Sequence, residues 1–237
     1  MADESIARVN ASGLVIPLAA GTTRLTITFD GVIRSVDITV GGITDPRPLS
    51  FREDVIPILT KARCNSGGCH GKAEGQNGFK LSVFGFDPES DHAALVKEKR
   101  GGRISPAVPL GSLLLTKGAG TVPHGGGRRL DVESVDYRVL SEWIRQGVAG
   151  PRAGDPILID LQMTPTRGIL PAGSSRQLKL EAVFSNGVRR DVTRQALYLS
   201  NEPEIGSVSE TGRVRTGEGG GLFAVLARFG GRMSVYH

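Results

Sequence analysis

Residues 64–71 read Cys64-Asn65-Ser66-Gly67-Gly68-Cys69-His70-Gly71. They hold the only two cysteines of the 237-residue chain, and a histidine follows the second at once. Two thiols and an imidazole within so short a stretch point to chemistry held at a loop: a metal, a disulfide, or a covalently attached group. The Gly67-Gly68 pair between the cysteines predicts a loop that uses glycine's access to positive φ to bring both sulfurs to one side.

A helix is predicted to lead into this stretch. Ser50-Phe51-Arg52-Glu53 fits a capping box, and Phe51, Val55, Leu59 and Ala62 recur on one helical face. After it, residues 77–86 (Asn77-Gly78-Phe79-Lys80-Leu81-Ser82-Val83-Phe84-Gly85-Phe86) read as extended and apolar. Asp87-Pro88 opens a short helix to about Glu98. Another short helix is predicted over residues 109–117. A Gly-rich loop, Gly118 to Leu130, then carries His124. Asp131 is predicted to cap a last helix with Val132, Val135, Val139, Leu140, Trp143 and Ile144 on its buried stripe, stopped by Gly147.

Both flanks read as β. Residues 1–43 contain short alternating runs (14–16, 24–29 and 35–40) broken at Asp30-Gly31 and Gly41-Gly42. The stretch from Glu4 through Gly13-Leu14-Val15 parallels that from Glu204 through Gly212-Arg213-Val214. Both continue to a glycine (Gly21, Gly220), a strand, a turn (Asp30-Gly31, Gly230-Gly231) and another strand. This is an internal repeat. The C-terminal copy has a front half, with Ile159 to Pro165, Gln177 to Phe184 and Arg190-Asp191-Val192-Thr193, that the first copy lacks. Half of a two-layer β domain cannot close its own core, so the first copy is expected to be truncated or completed by another segment. The predicted boundaries are a partial β domain over 1–43, a Pro-punctuated linker over 44–49, a central domain over 50–150 and a β domain over 155–237.

Composition supports this mixture. Apolar residues make up 39% of the chain, with 33 glycines and 13 prolines but only 5% aromatics, which suits β and loop-rich domains more than a helical bundle. The net charge of +5 is spread along the chain with no concentrated basic run, so nucleic-acid binding has little support. No apolar stretch reaches the roughly 18 residues of a membrane span. The Met-Ala-Asp-Glu start lacks the basic and apolar regions of a signal peptide.

The C-x4-C-H pattern resembles the C-x-x-C-H attachment site of a c-type haem, with two extra residues between the cysteines. More narrowly, residues 50–148 resemble the planctomycete-type cytochrome c domain, a variant of class I cytochrome c. The phrases that carry this are FREDVIPIL (51–59), the cysteine motif itself, GFKLSVFGFDP (78–88), SLLLTK (112–117) and VPHGGGRRL (122–130), followed by Tyr137, Leu140, Trp143-Ile144 and Gly147. Residues 155–237, and 1–43 as a half copy, resemble bacterial immunoglobulin-like (group 2) domains.

The resemblance implies a multi-domain chain: a mainly α class I cytochrome c-like haem domain between all-β immunoglobulin-like sandwich segments. It implies one covalent haem c per chain on Cys64 and Cys69, with His70 as proximal iron ligand. Many relatives carry Met-Pro in the loop before the last helix, where the methionine is the distal ligand. Here Val122-Pro123 stands in its place, so His124 is the expected distal ligand, with His92 as the alternative. Arg128 and Arg129 are candidates for pairing with haem propionates, and Phe79 for a dry contact on the haem face.

The expected function is electron transfer rather than catalysis by this chain alone. The expected partners are a redox protein or further domains of the same parent chain, and the expected setting is periplasmic or otherwise extracytoplasmic. In that reading the missing signal peptide reflects excision from a longer exported protein. The rival readings are a zinc site built from Cys64, Cys69, His70 and a remote histidine, a Cys64–Cys69 disulfide in an adhesion or spacer array, and a five-coordinate haem sensor or peroxidase.

Overall fold

The computed structural model describes residues 1–10, 13–44 and 47–237. Ala11, Ser12, Asp45 and Pro46 lie outside the described residues, and with them a piece of the first repeat and two residues of the linker expected over 44–49. The chain divides into two compact units, Met1–Pro48 and Leu49–His237.

The first unit is built from two antiparallel pairs. Strand β1 (Ala7–Val9) pairs with β2 (Val15–Pro17), and β3 (Gly21–Phe29) with β4 (Val32–Val40). Asp30 and Gly31 join β3 to β4 with φ of 48° and 73°. Two left-handed residues in a two-residue turn match the right-handed twist of the strands they join. The register, Gly21↔Val40 to Phe29↔Val32, sorts the side chains by the two-residue period of a strand. One face carries polar cross-strand pairs: Thr22–Thr39 (3.1 Å), Arg24–Asp37 (2.7 Å) and Thr26–Ser35 (3.1 Å). The other carries Leu25, Ile27, Phe29, Val32 and Val36.

The second unit begins with one continuous helix, a π-helical turn (Phe51–Val55) running into α1 (Ile56–Lys61). Ser50 caps it through Oγ, which accepts from Glu53 N at 3.3 Å. The predicted return bond from Glu53 is made by Asp54 instead, whose Oδ2 accepts from Ser50 N at 2.8 Å. The wide first turn shifts the reach by one residue. Three more α-helices follow: α2 (Pro88–Val96), capped by Asp87, α3 (Leu113–Gly118) and α4 (Val135–Arg145). The cap of α4 is Ser134, which accepts from Tyr137 N at 3.1 Å. The expected cap, Asp131, closes the preceding turn on Glu133 N. Val132 and Val135 are therefore outside the buried stripe, which Leu140, Trp143 and Ile144 form. Phe51, Val55 and Leu59 pack against that stripe in one apolar core with Leu95, Leu115 and Leu130. Trp143 satisfies its indole N–H on Ala149 O at 2.9 Å.

Nine strands complete the unit: β5 (Leu158–Thr164), β6 (Ser175–Gln177), β7 (Lys179–Phe184), β8 (Arg189–Asp191), β9 (Leu197–Ser200), β10 (Gly206–Val208), β11 (Arg213–Thr216), β12 (Val225–Phe229) and β13 (Arg232–Tyr236). They form three antiparallel three-stranded sheets, ordered β5-β7-β8, β10-β11-β6 and β13-β12-β9. Alternate residues point into a shared core: Leu180, Ala182 and Phe184 from β7, and Val225, Ala227 and Phe229 from β12, with Leu161, Met163 and Tyr236. This core meets the helical part at two arginines. Arg190 of β8 donates to Glu53 O at 2.9 Å and lies 3.5 Å from the carboxylates of Glu53 and Asp54. Arg228 of β12 sits 3.9 Å over the Phe84 ring.

The architecture corrects the expectation of a mainly α class I cytochrome c-like domain between immunoglobulin-like sandwich segments. Strands in small two- and three-stranded sheets dominate, and the four α-helices are only six, nine, six and eleven residues long. The chain between the first and last helices is broken repeatedly by left-handed residues, among them Arg63, Asn77, Phe84 and Lys99. A residue in that conformation ends a right-handed helix, so helical segments stay short and loops fill the space between them.

Candidate cofactor site

The cysteine stretch starts where α1 stops. Arg63, at φ 59°, turns the chain back, and Cys64 N donates to Leu59 O at 2.8 Å. Residues 64–71 then fold into nested turns: Cys69 N to Ser66 O (2.9 Å), His70 N to Cys64 O (3.0 Å) and Gly71 N to Ser66 O (3.0 Å). Asn65 is buried beneath them. Its Nδ2 donates to Thr60 Oγ1 (3.0 Å) and its carbonyl accepts from Phe84 N (3.1 Å). Gly67 and Gly68 occupy the exposed tip. Neither adopts a positive φ, contrary to the expectation for this pair, and nothing lies within 4 Å of a Cβ added to either. The glycine that sterics demand is Gly71, where an added Cβ would lie 2.2 Å from Asn65 O.

His70 is fixed from two sides. Its carbonyl accepts from Leu81 N at 2.8 Å, and its Nδ1 stands 3.1 Å from Phe79 O, with the Phe79 ring 4.5 Å away. A carbonyl only accepts, so Nδ1 carries the proton and Nε2 keeps its lone pair. Burial pushes the His70 pKa down, against the Phe79 hydrogen bond, and the nearby His124, Arg103 and Lys117 add to the lowering. The ring is therefore neutral at pH 7, as a metal ligand must be.

His124 repeats the arrangement from the opposite loop. Its Nδ1 donates to Gly127 O at 3.0 Å, which leaves its Nε2 free as well. The His124 ring lies over Gly126, where an added Cβ would stand 3.0 Å from Cε1. The two imidazole rings are 6.2 Å apart between centroids and within 9° of parallel. Two imidazole nitrogens sharing one metal at about 2 Å each put ring centres about 6 Å apart when the rings lie end to end with both Nε2 atoms toward the metal. A backbone carbonyl on the far nitrogen is also the usual support for a metal-binding histidine.

Both histidines and both cysteines line one cavity of about 910 Å³, within the usual range for small-molecule and cofactor sites. Leu59, Leu81 and Leu95 supply apolar wall. Lys99, Arg103, Lys117 and Arg129 supply positive charge, and among the described residues no carboxylate lines it. Such a space suits a large, mostly apolar ligand that carries acidic groups. The thiols are unpaired, with no disulfide between them. Burial, and secondarily Cys69 nearby, pushes the Cys64 thiol up to about 11, so it is protonated at neutral pH. Among the described residues no three of His, Cys, Asp and Glu are grouped to hold a metal by themselves. The chain offers two near-parallel imidazoles 6.2 Å apart, and a ligand that brings its own metal-binding donors would complete the set.

Of the residues expected at the site, Cys64, Cys69, His70, Phe79, His124 and Arg129 line this cavity. Arg128 does not. It pairs with Asp131 at 2.9 Å and donates to Leu130 O at 3.3 Å. His92 is placed elsewhere too: its Nε2 is 2.8 Å from Val148 O, and its ring packs on Phe51 and Trp143. Three cations escaped the sequence reading. Arg103 is nearly buried, donating to Ala94 O (2.6 Å) and Gly78 O (2.8 Å) and lying 4.4 Å over the Phe79 ring. Lys99 and Lys117 are tied to Asn77 O and Pro123 O, each at 3.2 Å. Each reaches the cavity by a loop contact that spacing along the chain does not reveal.

Among the described residues no helix is long and apolar enough to cross a membrane. In comparisons with known proteins, no family model matches the chain and no curated protein matches it.

Proposed function

We propose that the cavity holds one haem c per chain, joined to Cys64 and Cys69 and ligated by His70 and His124, and that the protein is an electron-transfer module of a larger exported protein. The observation that carries this reading is the pair of near-parallel imidazoles 6.2 Å apart, each with Nδ1 engaged by a backbone carbonyl, in one cavity with both cysteines. A cavity of about 910 Å³ with leucine walls and several cations favours a large ligand with acidic groups over a single zinc ion.

Haem c, when bound, supplies a ferric–ferrous couple. The chain's own residues would hold and tune it. Phe79 and Gly127 carbonyls orient the two imidazoles and raise their basicity. Two imidazoles in place of an imidazole and a thioether give a lower potential than His/Met ligation. Lys99, Lys117 and Arg129 stand where acidic groups of the ligand can be paired. Electrons would pass to a redox partner or to further domains of the same parent chain, in a periplasmic or extracytoplasmic setting.

The test is to produce the protein in a host with cytochrome c maturation and record oxidised, reduced and pyridine haemochrome spectra. A red, low-spin product with thioether-linked haem is expected, and His124→Ala should convert it to a high-spin form. A colourless product refutes the haem assignment. An unchanged low-spin spectrum in His124→Ala refutes His124 as a ligand.

A further inference from the structure

The N-terminal unit repeats the end of the C-terminal unit element by element. The β1–β2 pairing, Ala7↔Pro17 to Val9↔Val15, matches β10–β11, Gly206↔Thr216 to Val208↔Val214. Ile6 presses on Gly21, its Cδ1 2.9 Å from an added Cβ, as Ile205 presses on Gly221 at 2.6 Å. The packing thus aligns Gly21 with Gly221, one residue beyond the match read from sequence. Hairpin β3–β4 turns on Asp30-Gly31 as β12–β13 turns on Gly230-Gly231, all four residues at positive φ.

Burial is not repeated. Phe29 is 81% exposed where its counterpart Phe229 is 1% exposed, and Ile27 is 53% exposed where Ala227 is fully buried. In the C-terminal unit the same face is packed in one core with Leu161 and Met163 of β5 and Leu180 and Ala182 of β7. The outer edge of β12 is filled by β9, in register from Val225↔Ser200 to Arg228↔Leu197. Among the described residues β3 pairs with β4 alone. The lane beside it is nonetheless marked: Ala2 N donates to Arg24 O at 2.9 Å, as Asn201 N donates to Ala224 O at 3.2 Å.

We propose that the apolar face of β3–β4 is a docking site for a polypeptide segment patterned like residues 157–200, entering directly ahead of Ala2 in the same chain. Its last strand would pair with residues 25–28 of β3, and its apolar residues would cover Ile27, Phe29, Val32 and Val36. Main-chain bonds to a free strand edge supply affinity in this mode, and alternate side chains supply selectivity. The occupant is fixed by the chain's own complete copy, which shows what this face packs against. The inference is independent of the cavity and its ligand.

An extended protein tests it, with residues 157–200 placed directly ahead of Ala2 in place of Met1. In the 237-residue protein, the β3 amides facing away from β4 should exchange rapidly with deuterium, and an apolar dye should bind. In the extended protein their exchange should slow by about 100-fold or more and dye binding should be lost. Ile27→Asp with Phe29→Asp should leave the melting temperature of the 237-residue protein unchanged, yet abolish the gained protection. No gain in protection, or protection insensitive to that double substitution, overturns the proposal. Slow exchange in a 237-residue protein that sediments as a dimer also overturns it, in favour of a second copy as occupant.

Discussion

Replacing Gly71 by alanine is the sharpest probe of the cysteine stretch. The added Cβ would stand 2.2 Å from Asn65 O and 2.8 Å from Ser66 O. Carbon–oxygen contacts close to about 3.3 Å at best, so the strand of loop carrying Asn65 must retreat by about 1 Å. It is not free to do so. Asn65 O accepts from Phe84 N, Ser66 O accepts from Gly71 N and Cys69 N, and the Asn65 side chain is anchored on Thr60. Overpacking costs about 1–3 kcal/mol, and leaving one buried backbone group unpaired costs about 1–3 kcal/mol more. Gly71→Ala should therefore destabilise the protein by about 4 kcal/mol. At about 2–4 °C per kcal/mol for a unit of this size, the midpoint should fall by about 8–16 °C. Thermal unfolding of the cofactor-free protein, followed by circular dichroism or calorimetry, measures it. Gly67→Ala and Gly68→Ala meet open space at ordinary φ and should stay within about 0.5 kcal/mol of the parent. A Gly71→Ala loss below about 1 kcal/mol, or an equal loss at Gly67 or Gly68, would refute the reasoning.

Three further outcomes concern the same site. Gly126→Ala should push the His124 ring aside by a few tenths of an ångström, and Gly125→Ala, which meets nothing within 4 Å, should not. Under the proposed haem ligation the first should lower the low-spin fraction with little change in melting temperature, and the second should be silent. In the cofactor-free protein, a Cys64 thiol pushed up to about 11 is about one part in a thousand thiolate at pH 8. Its alkylation, mapped by mass spectrometry, should be slow and rise about tenfold per pH unit toward pH 11. Because the folded form holds this proton more tightly than the unfolded form, stability should fall as pH rises from about 9 to about 11. Rapid modification of Cys64 at pH 8 would contradict the burial assigned to it.

Local signals in the sequence were informative where the physics is local. Ser50 and Asp87 cap helices as their side chains suggest, Gly147 ends the last one, and Asp30-Gly31 makes the hairpin turn. The expectation that His124 partners His70 came from the resemblance of the loop before the last helix, where Val122-Pro123 replaces Met-Pro, and the two rings lie 6.2 Å apart. The global fold did not follow. Apolar spacing in residues 50–150 is compatible with helices of any length, and it does not show where left-handed residues such as Arg63 and Phe84 cut them short. Arg103 was illegible for a related reason. Its role depends on Gly78 O and the Phe79 ring lying beside it, a meeting made by two loops distant in sequence. Arg128 illustrates the reverse error, a cation adjacent in sequence to the cavity wall that turns outward to Asp131.

The contact between Arg190 and the first turn of the opening helix constrains how this protein can evolve. Glu53 and Asp54 are adjacent carboxylates with little exposure, both within 3.5 Å of one guanidinium from the β-rich part. Losing that guanidinium would remove a cation that both carboxylates share at a sparsely hydrated seam. Losing one carboxylate alone would weaken the hold on the helix that leads directly into Cys64. The three positions are coupled, so an insertion or charge change in the short strand β8 is felt at the start of the helix that carries the cysteine loop.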